Sequence, residues 1–330
     1  DTAYVYLGGT SEVAIKEAVV DRYPRDRFQV ASKLPLFDLN TAEEMEAAFD
    51  LSLSRAGLDY FDFYLLHAMD QERFEKAEKL GAWEFILRKK AEGKIRHIGF
   101  SFHDSAAVLD QGLTKHPEAE FVQLQINYID WENPDVQSRE CYEVAIKHGK
   151  PVIIMEPVKG GSLVSLTPEV SRLYKEVNPE LSIPSWAIRY CASLPNIITV
   201  LSGMSTEAQL NDNVSYMEHF VPLDEREETT VAKAVEIINK IPTIPCTGCK
   251  YCVDGCPQKI NIPAIFSGVN HHKKFDSDSR KASNQGSYLE AVKSGGKASD
   301  CIACGACESH CPQHISIIEE LKTAAALYEN

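Results

Sequence analysis

The sequence has no apolar run approaching the roughly eighteen residues that a membrane-spanning helix requires, and no basic segment followed by an apolar one opens it. We therefore expect a cytoplasmic protein without a membrane partner. Positive charge is scarce, because 34 Lys and Arg residues stand against 48 Asp and Glu residues, giving a formal net charge of -14. Such an acidic chain repels nucleic acid, so no nucleic-acid partner is expected.

The charge is distributed unevenly along the 330 residues. From Pro242 to the end, nine Lys and Arg residues balance nine Asp and Glu residues, so the whole deficit lies in the first 241 residues. A chain of this length has room for one large domain and one small one. We expect domains at residues 1–241 and 242–330.

Short apolar runs alternate with amphipathic stretches over the first 240 residues. The expected strands are 28–34, 61–67, 95–101, 121–127, 151–157 and 197–202. The clearest expected helices between them are 41–56, 82–92, 105–115, 135–148 and 184–193. Strand and helix taking turns at intervals of about 25–35 residues predicts right-handed βαβ units and a parallel sheet, which gives the α/β class.

Eight of the ten cysteines form two runs with the same spacing, C-x2-C-x2-C-x3-C-P. The first run is Cys246, Cys249, Cys252 and Cys256, and the second is Cys301, Cys304, Cys307 and Cys311. Zinc sites use pairs of ligands separated by a dozen or more residues, which this spacing fits poorly. The other two cysteines, Cys141 and Cys191, lie in apolar-periodic stretches and are interpreted as small buried hydrophobes.

This spacing resembles the cysteine runs of bacterial ferredoxins, in which three thiolates bind one [4Fe–4S] cube and the fourth binds the other cube. The resemblance implies two [4Fe–4S] clusters, ligated crosswise. One cluster would be bound by Cys246, Cys249, Cys252 and Cys311, and the other by Cys301, Cys304, Cys307 and Cys256. The segment between the runs, 258–300, is longer than a small ferredoxin needs. We expect short helices at 262–269 and 287–292, with residues 271–286 as a mobile loop or a partner contact.

Five pieces of sequence in the first domain resemble the aldo-keto reductase family in order and approximate spacing. They are Asp1-Thr2-Ala3 with Tyr6 and Ser11-Glu12; Ser32-Lys33-Leu34; Leu65-Leu66-His67; Gly93-Lys94-Ile95-Arg96 with Ile98-Gly99 and Ser101; and Gln123, Gln125 and Asn127. The resemblance covers about residues 1–240. With its cysteine runs, the chain is similar to the bacterial and archaeal members that carry a C-terminal ferredoxin-like domain.

The resemblance implies a (β/α)8 TIM barrel followed by a small, mainly helical dicluster ferredoxin-like domain. In the family the motif aspartate and tyrosine lie at and just after the end of the second barrel strand. Since only six strands are expected here and Asp1 opens the sequence, we expect an N-terminally truncated chain that lacks the first strands.

By motif, the resemblance assigns catalysis to Asp1, Tyr6, Lys33 and His67. Reducing a carbonyl group with a nicotinamide leaves an alkoxide that must receive a proton. Tyr6 would be the general acid, and the Lys33 ammonium, held by Asp1, would stabilise the phenolate and so lower the pKa of the phenol. His67 would donate a hydrogen bond to the carbonyl oxygen.

The implied cofactor is NADP(H) or NAD(H). Ser101 and Gln123 match the positions that hold the nicotinamide carboxamide, although Phe102 replaces the usual asparagine. Met155 stands where many members stack an aromatic ring on the nicotinamide. The segment Gly160-Gly161 with Leu163 resembles the pyrophosphate loop, where backbone N–H groups approach phosphate; an ordinary turn is the alternative.

The predicted adenosine site departs from the family pattern. Gly203 and Gln209 occupy the places where members often have a lysine and an arginine on the 2′-phosphate, whereas Asn213 is retained. Without those cations, NAD use or weak selectivity between the two cofactors is an open alternative.

We therefore expect an NAD(P)H-linked oxidoreductase that reduces an aldehyde or ketone and carries an iron–sulfur electron-transfer domain. Nicotinamides move two electrons together, whereas a [4Fe–4S] cube moves one at a time, and a flavin normally mediates between them. Three arrangements stay open: structural clusters, clusters serving an external flavoprotein or ferredoxin, and a flavin bound in the barrel. The alternative function is an electron-transfer or redox-sensing module with little carbonyl reductase activity.

Overall fold

The computed structural model describes residues 1–275 and 281–329. Six parallel strands form one sheet in chain order, β1 to β6. Their bounds are β1 Ala31–Leu34, β2 Phe61–Met69, β3 Ile95–Phe102, β4 Phe121–Gln125, β5 Val152–Met155 and β6 Ile197–Val200. All six expected strands are confirmed, with shifts of a few residues at their ends.

Helices follow the strands and continue to the end of the described chain. Their bounds are α1 Ser11–Ile15, α2 Ala42–Ala56, α3 Gln71–Leu80, α4 Ala82–Ala91, α5 Ala106–Lys115, α6 Ser138–Lys147, α7 Pro168–Val177, α8 Ile183–Ser193, α9 Glu207–Met217, α10 Glu225–Lys240, α11 Tyr251–Asp254, α12 Ile262–Lys274, α13 Lys281–Ala291, α14 Ala306–Ser309 and α15 Ile317–Tyr328. The five expected helices are confirmed as α2, α4, α5, α6 and α8. Helix α6 begins three residues late because residues 134–136 form a turn and Gln137 follows it with φ 52°.

By contacts the chain divides into two compact units. The first comprises Asp1–Pro157 and Ala187–Pro222, and the second comprises Val158–Trp186 and Leu223–Asn330. Helix α7 lies in the second unit because it packs on α10. The division therefore does not follow the domain boundary expected after residue 241, and that boundary stays a prediction.

The first unit has its core between the sheet and the surrounding helices. Strand β2 shows why the sheet is covered: seven of its nine side chains are buried, including Tyr64, Leu65 and Leu66. Such apolar strands need helices on both faces, as in βαβ folds. The β3–β4 register places Ser101 beside Gln123, and the β1–β2 register places Lys33 beside Leu65. Functional side chains thus come to one edge, the carboxyl ends of the strands.

The second unit has a separate core that includes Ile262, Phe266 and Leu321. Residues 271–274 continue α12 and residues 281–286 belong to α13, so the mobile loop expected at 271–286 is wrong for these parts. A buried face comprising Ile262, Ile265, Phe266 and Val269 supports α12. Residues 276–280 lie outside the described residues.

Over the part of the chain that the structure describes, none of the helices has the length and apolar character needed to cross a membrane.

The motif residue Gly99 tests how β3 packs beside β4. A Cβ atom placed there would lie 2.5 Å from the carbonyl oxygen of Phe121 and 2.8 Å from its ring. We expect Gly99→Ala to lower the free energy of unfolding by about 1–3 kcal/mol through overpacking. Gly203→Ala is the control, because a Cβ there meets no atom within 4 Å. Urea unfolding measures the free energy of unfolding of both variants. Equal stability of the two would contradict this packing.

Candidate active site and cysteine-lined cavities

A fully buried lysine lies near the carboxyl end of β1. The Nζ atom of Lys33 donates to both carboxylate oxygens of Asp1, at 2.7 and 2.8 Å, and to the backbone oxygen of Thr2 at 2.8 Å. These three acceptors use all three ammonium protons. Burial lowers the pKa of Lys33 to about 7. The Lys33 ammonium therefore loses its proton near neutral pH.

Tyr6 and His67 lie next to this ion pair. The Lys33 Nζ atom is 4.8 Å from the centre of the Tyr6 ring, and the Tyr6 and His67 rings are 5.6 Å apart in an edge-on arrangement. Tyr6 is 36% exposed, whereas Lys33 is not exposed at all. The structure thus brings Asp1, Tyr6, Lys33 and His67 together, with the tyrosine accessible and the lysine beneath it.

The pKa values separate the roles of the two aromatic groups. Burial, and then the negative charge of Glu156, raise the pKa of Tyr6. This net shift is opposite to the lowering expected from Lys33 alone. Burial first, and the Lys33 charge second, lower the pKa of His67 to about 3, so the imidazole is neutral at physiological pH. Its Nδ1 atom is buried and has no hydrogen-bond partner within the described residues.

Sequence reasoning missed two residues at this site. Glu156 directly follows β5 and raises the pKa of Tyr6, and Phe37 places its ring 5.5 Å from that of His67. The position of Glu156 after the carboxyl end of a strand was a usable signal, because active sites of barrels lie there. Phe37 carried no such signal.

Three of the residues predicted to hold the nicotinamide lie on neighbouring strands. The Ser101 hydroxyl oxygen accepts from the backbone N–H of Ala68 at 2.7 Å. The Gln123 Nε2 atom donates to the Met155 Sδ atom at 3.4 Å, and its Oε1 atom is buried without a partner among the described residues. An unpaired buried carbonyl oxygen is costly and fits a ligand amide that donates to it.

The residues predicted for the adenosine end are largely exposed. Asn213 Nδ2 donates to the Ser202 hydroxyl at 2.7 Å, and Gln209 Oε1 accepts from the backbone N–H of Ser205 at 2.7 Å. Gly203 faces open space. Among Gly203, Gln209 and Asn213 there is no cationic side chain that could pair with a 2′-phosphate.

The predicted pyrophosphate residues belong to the second compact unit. Gly160 and Gly161 have φ values of 56° and 88°, and Leu163 is fully buried. The N–H groups of Gly161 and Leu163 donate to the backbone oxygen of Val158, at 3.0 and 3.1 Å, and that of Ser162 donates to Lys159 at 3.0 Å. In this conformation these N–H groups therefore donate to backbone oxygens within the loop itself.

Each set of four cysteines implied by the ferredoxin resemblance lines one cavity in the second unit. One cavity is lined by Cys246, Cys249, Cys252 and Cys311, and the other by Cys256, Cys301, Cys304 and Cys307. Ile262 lines both cavities. Each cavity also has one buried and one exposed cysteine, Cys252 and Cys249 in the first, Cys307 and Cys304 in the second.

The thiols surround these cavities without closing on a point. In residues 1–275 and 281–329, no three His, Cys, Asp or Glu side chains converge as ligands of a single metal ion do. A zinc ion holds its four ligands at about 2.0–2.3 Å. A four-iron cube is a larger body, in which each thiolate binds a different iron. The eight cysteines fit two such cubes better than two zinc ions.

Double variants test the crosswise ligation. We expect Cys246→Ala with Cys311→Ala to lose one cube, about four of eight irons, because both residues line the same cavity. Cys246→Ala with Cys256→Ala should lose both cubes. Iron analysis and EPR of the dithionite-reduced proteins distinguish them. If the first double variant instead loses both cubes and the second loses only one, each cysteine run binds its own cluster.

Both parts of the chain match known protein families. Residues 1–236 match the family described as the Aldo/keto reductase family, and residues 245–316 match a 4Fe-4S dicluster domain. The uncharacterized oxidoreductase YtbE of Bacillus subtilis is 26% identical over 235 residues, which cover 68% of this chain and 75% of that protein. The NADH-specific methylglyoxal reductase of Escherichia coli is 21% identical over 285 residues, covering 73% and 84% of the two chains.

Solved structures share the fold. The aldo-keto reductase AKR11C1 from Bacillus halodurans, in its holo form, superposes with a TM-score of 0.55 at 23% identity, covering 71% of this chain and 81% of that one. An aldo-keto reductase from Klebsiella pneumoniae in complex with NADPH gives a TM-score of 0.55 at 22% identity, with coverages of 71% and 78%. The expected (β/α)8 barrel fold is confirmed, with six of its strands in the described chain. The chain belongs to the aldo/keto reductase family of oxidoreductases and carries a 4Fe-4S dicluster domain.

Proposed function

We propose that this protein is an NAD(P)H-linked reductase of aldehydes or ketones in which Tyr6 is the general acid. The observation that carries the proposal is an accessible phenol beside a neutral His67 and an ion pair of Asp1 with the buried Lys33. Two similar proteins support this activity: one is named an NADH-specific methylglyoxal reductase, and the other is an aldo-keto reductase solved in complex with NADPH.

The nicotinamide, when bound, supplies a hydride for the carbonyl carbon, and this chain supplies the proton for the oxygen. The raised pKa of Tyr6 keeps its phenol protonated at neutral pH. An alkoxide is a much stronger base than a phenolate, so the phenol proton still moves to it. The Lys33 ammonium, 4.8 Å from the ring, stabilises the phenolate that results. Asp1 keeps that ammonium oriented.

His67 acts in this proposal as a donor of a hydrogen bond. A neutral imidazole has one N–H group and one acceptor nitrogen, so it can hold the substrate oxygen without protonating it. Its pKa near 3 excludes an imidazolium at neutral pH. The proton therefore comes from Tyr6, while His67 fixes the direction from which the carbonyl oxygen approaches.

The residues predicted to bind the cofactor favour NADH or weak selectivity. Ser101, Gln123 and Met155 would hold the nicotinamide end, and the unpaired Gln123 Oε1 atom would accept from the carboxamide. Gly160, Gly161 and Leu163 would meet the pyrophosphate. Gly203, Gln209 and Asn213 offer no cation for a 2′-phosphate, which removes the charge-assisted contact on which NADP discrimination depends.

The two cysteine-lined cavities favour a second candidate function, an electron-transfer or redox-sensing module. Its partner would be a flavoprotein or a ferredoxin, or the barrel would bind a flavin itself. Steady-state assays with a panel of aldehydes against NADH and NADPH separate the candidates. Turnover well below one per minute with every aldehyde would favour the second.

Removing the phenolic hydroxyl tests the general acid. We expect Tyr6→Phe to lower kcat for carbonyl reduction by about 10²–10⁴-fold, the usual contribution of a positioned acid, with cofactor affinity unchanged. Tyr23→Phe is the matched control, because Tyr23 is a 59% exposed tyrosine of the same unit. Stopped-flow turnover and nucleotide fluorescence titration measure the two quantities. Full turnover in Tyr6→Phe would remove Tyr6 from the proposal.

The pH dependence tests the role of Lys33. Since its pKa is about 7, the ammonium is present below that pH and is lost above it. We expect kcat/KM for reduction to be level below about pH 7 and to fall at higher pH, because a neutral amine no longer stabilises the phenolate. In Asp1→Asn the midpoint should move to lower pH, since the carboxylate that favours the ammonium is gone. A midpoint that moves upward in this variant would contradict the role.

A further inference from the structure

The Gly160–Gly161 loop is closed by its own hydrogen bonds. We call residues 158–163 the closed turn. Three consecutive N–H groups, those of Gly161, Ser162 and Leu163, donate to backbone oxygens inside it. Phosphate binding by such a loop depends on N–H groups that point outward and are free to donate. The closed turn must therefore open before these donors can reach a pyrophosphate.

A side-chain contact joins the closed turn to helix α12. The Ser162 hydroxyl is 2.8 Å from the Nε2 atom of His271, which lies 109 residues further along the chain in α12. Ser162 is 1% exposed, so its hydroxyl has little access to water as a replacement partner. The His271 ring also packs 5.1 Å from Phe275. Opening the turn would break this partly buried hydrogen bond.

Helix α12 is itself fixed by the cysteine-bearing part of the unit. At its start Ile262 lines both cysteine-lined cavities. Near its end the Asn270 side chain donates to the backbone oxygen of Ile244 at 2.8 Å and accepts from its N–H at 2.7 Å. Ile244 lies two residues before Cys246. The helix that carries His271 is therefore held at both ends by groups around the cavities.

We propose that the Ser162–His271 contact is an autoinhibitory hydrogen bond by which α12 keeps the closed turn shut and so opposes nucleotide binding. The inference rests on the proposed function, since it takes the turn to be part of the pyrophosphate site. Nucleotide can bind fully only by breaking the contact. His271 is a positioning residue, because it acts on the nucleotide through Ser162.

The test measures nucleotide affinity in the full chain loaded with its clusters. Fluorescence titration with NADH and with NADPH gives Kd for the parent, His271→Ala, Ser162→Ala and the double variant. A net hydrogen bond is worth about one kcal/mol, so each single variant should bind about fivefold more tightly than the parent. The double variant should gain no more than either single one, because both remove the same bond.

Two further variants separate this contact from a general loosening of the fold. His272→Ala changes the next residue of α12, whose ring faces Tyr328, and should leave Kd unchanged. His271→Gln keeps a polar group opposite Ser162 and should restore affinity toward that of the parent. Iron content and cluster absorbance should be the same in every variant.

Unchanged or weaker nucleotide binding in both single variants would overturn the inference, as would gains that add in the double variant. In either case a parent protein that binds NADH or NADPH and turns over an aldehyde keeps the proposed function. A parent that binds neither nucleotide would overturn both.

Discussion

The buried Lys33 ammonium is the constraint on which the candidate active site depends. Moving an ammonium out of water costs several kcal/mol unless it is paired and hydrogen-bonded. Here the partners are the Asp1 carboxylate and the Thr2 backbone oxygen, so the first residues must stay against β1. The Thr2 N–H donates to the Ala31 backbone oxygen at 2.9 Å and fixes the same segment. Tyr6 is placed beside Lys33 as a consequence.

The sequence predicted the sheet well because each strand is a short apolar run bounded by polar residues. Helix α3 was not singled out, since of its ten residues only Ala77 is buried, and its other apolar residues Phe74 and Leu80 are only partly buried against the core. It forms because Asp70 caps its first turn and Gly81 ends it. Local capping, which periodicity does not reveal, determined that helix.

The candidate site was predictable in membership but not in electrostatics. Motif order indicated that Asp1, Tyr6, Lys33 and His67 belong to one site. Of these, Lys33 and His67 lie on the adjacent parallel strands β1 and β2. The upward shift in the pKa of Tyr6 was not predictable, since it depends on burial and on Glu156, 150 residues away in sequence. The closed turn was likewise beyond sequence, because only coordinates show which N–H groups are already used.

Carbonyl reduction as proposed uses a two-electron hydride from the nicotinamide and requires no electron from the implied clusters, which carry electrons one at a time. The most direct test mixes the anaerobic holoprotein, with oxidised clusters, with limiting NADH or NADPH and an aldehyde. We predict one alcohol formed per nucleotide oxidised, with no EPR signal of reduced clusters. Nucleotide oxidation that produces reduced clusters and no alcohol would contradict it.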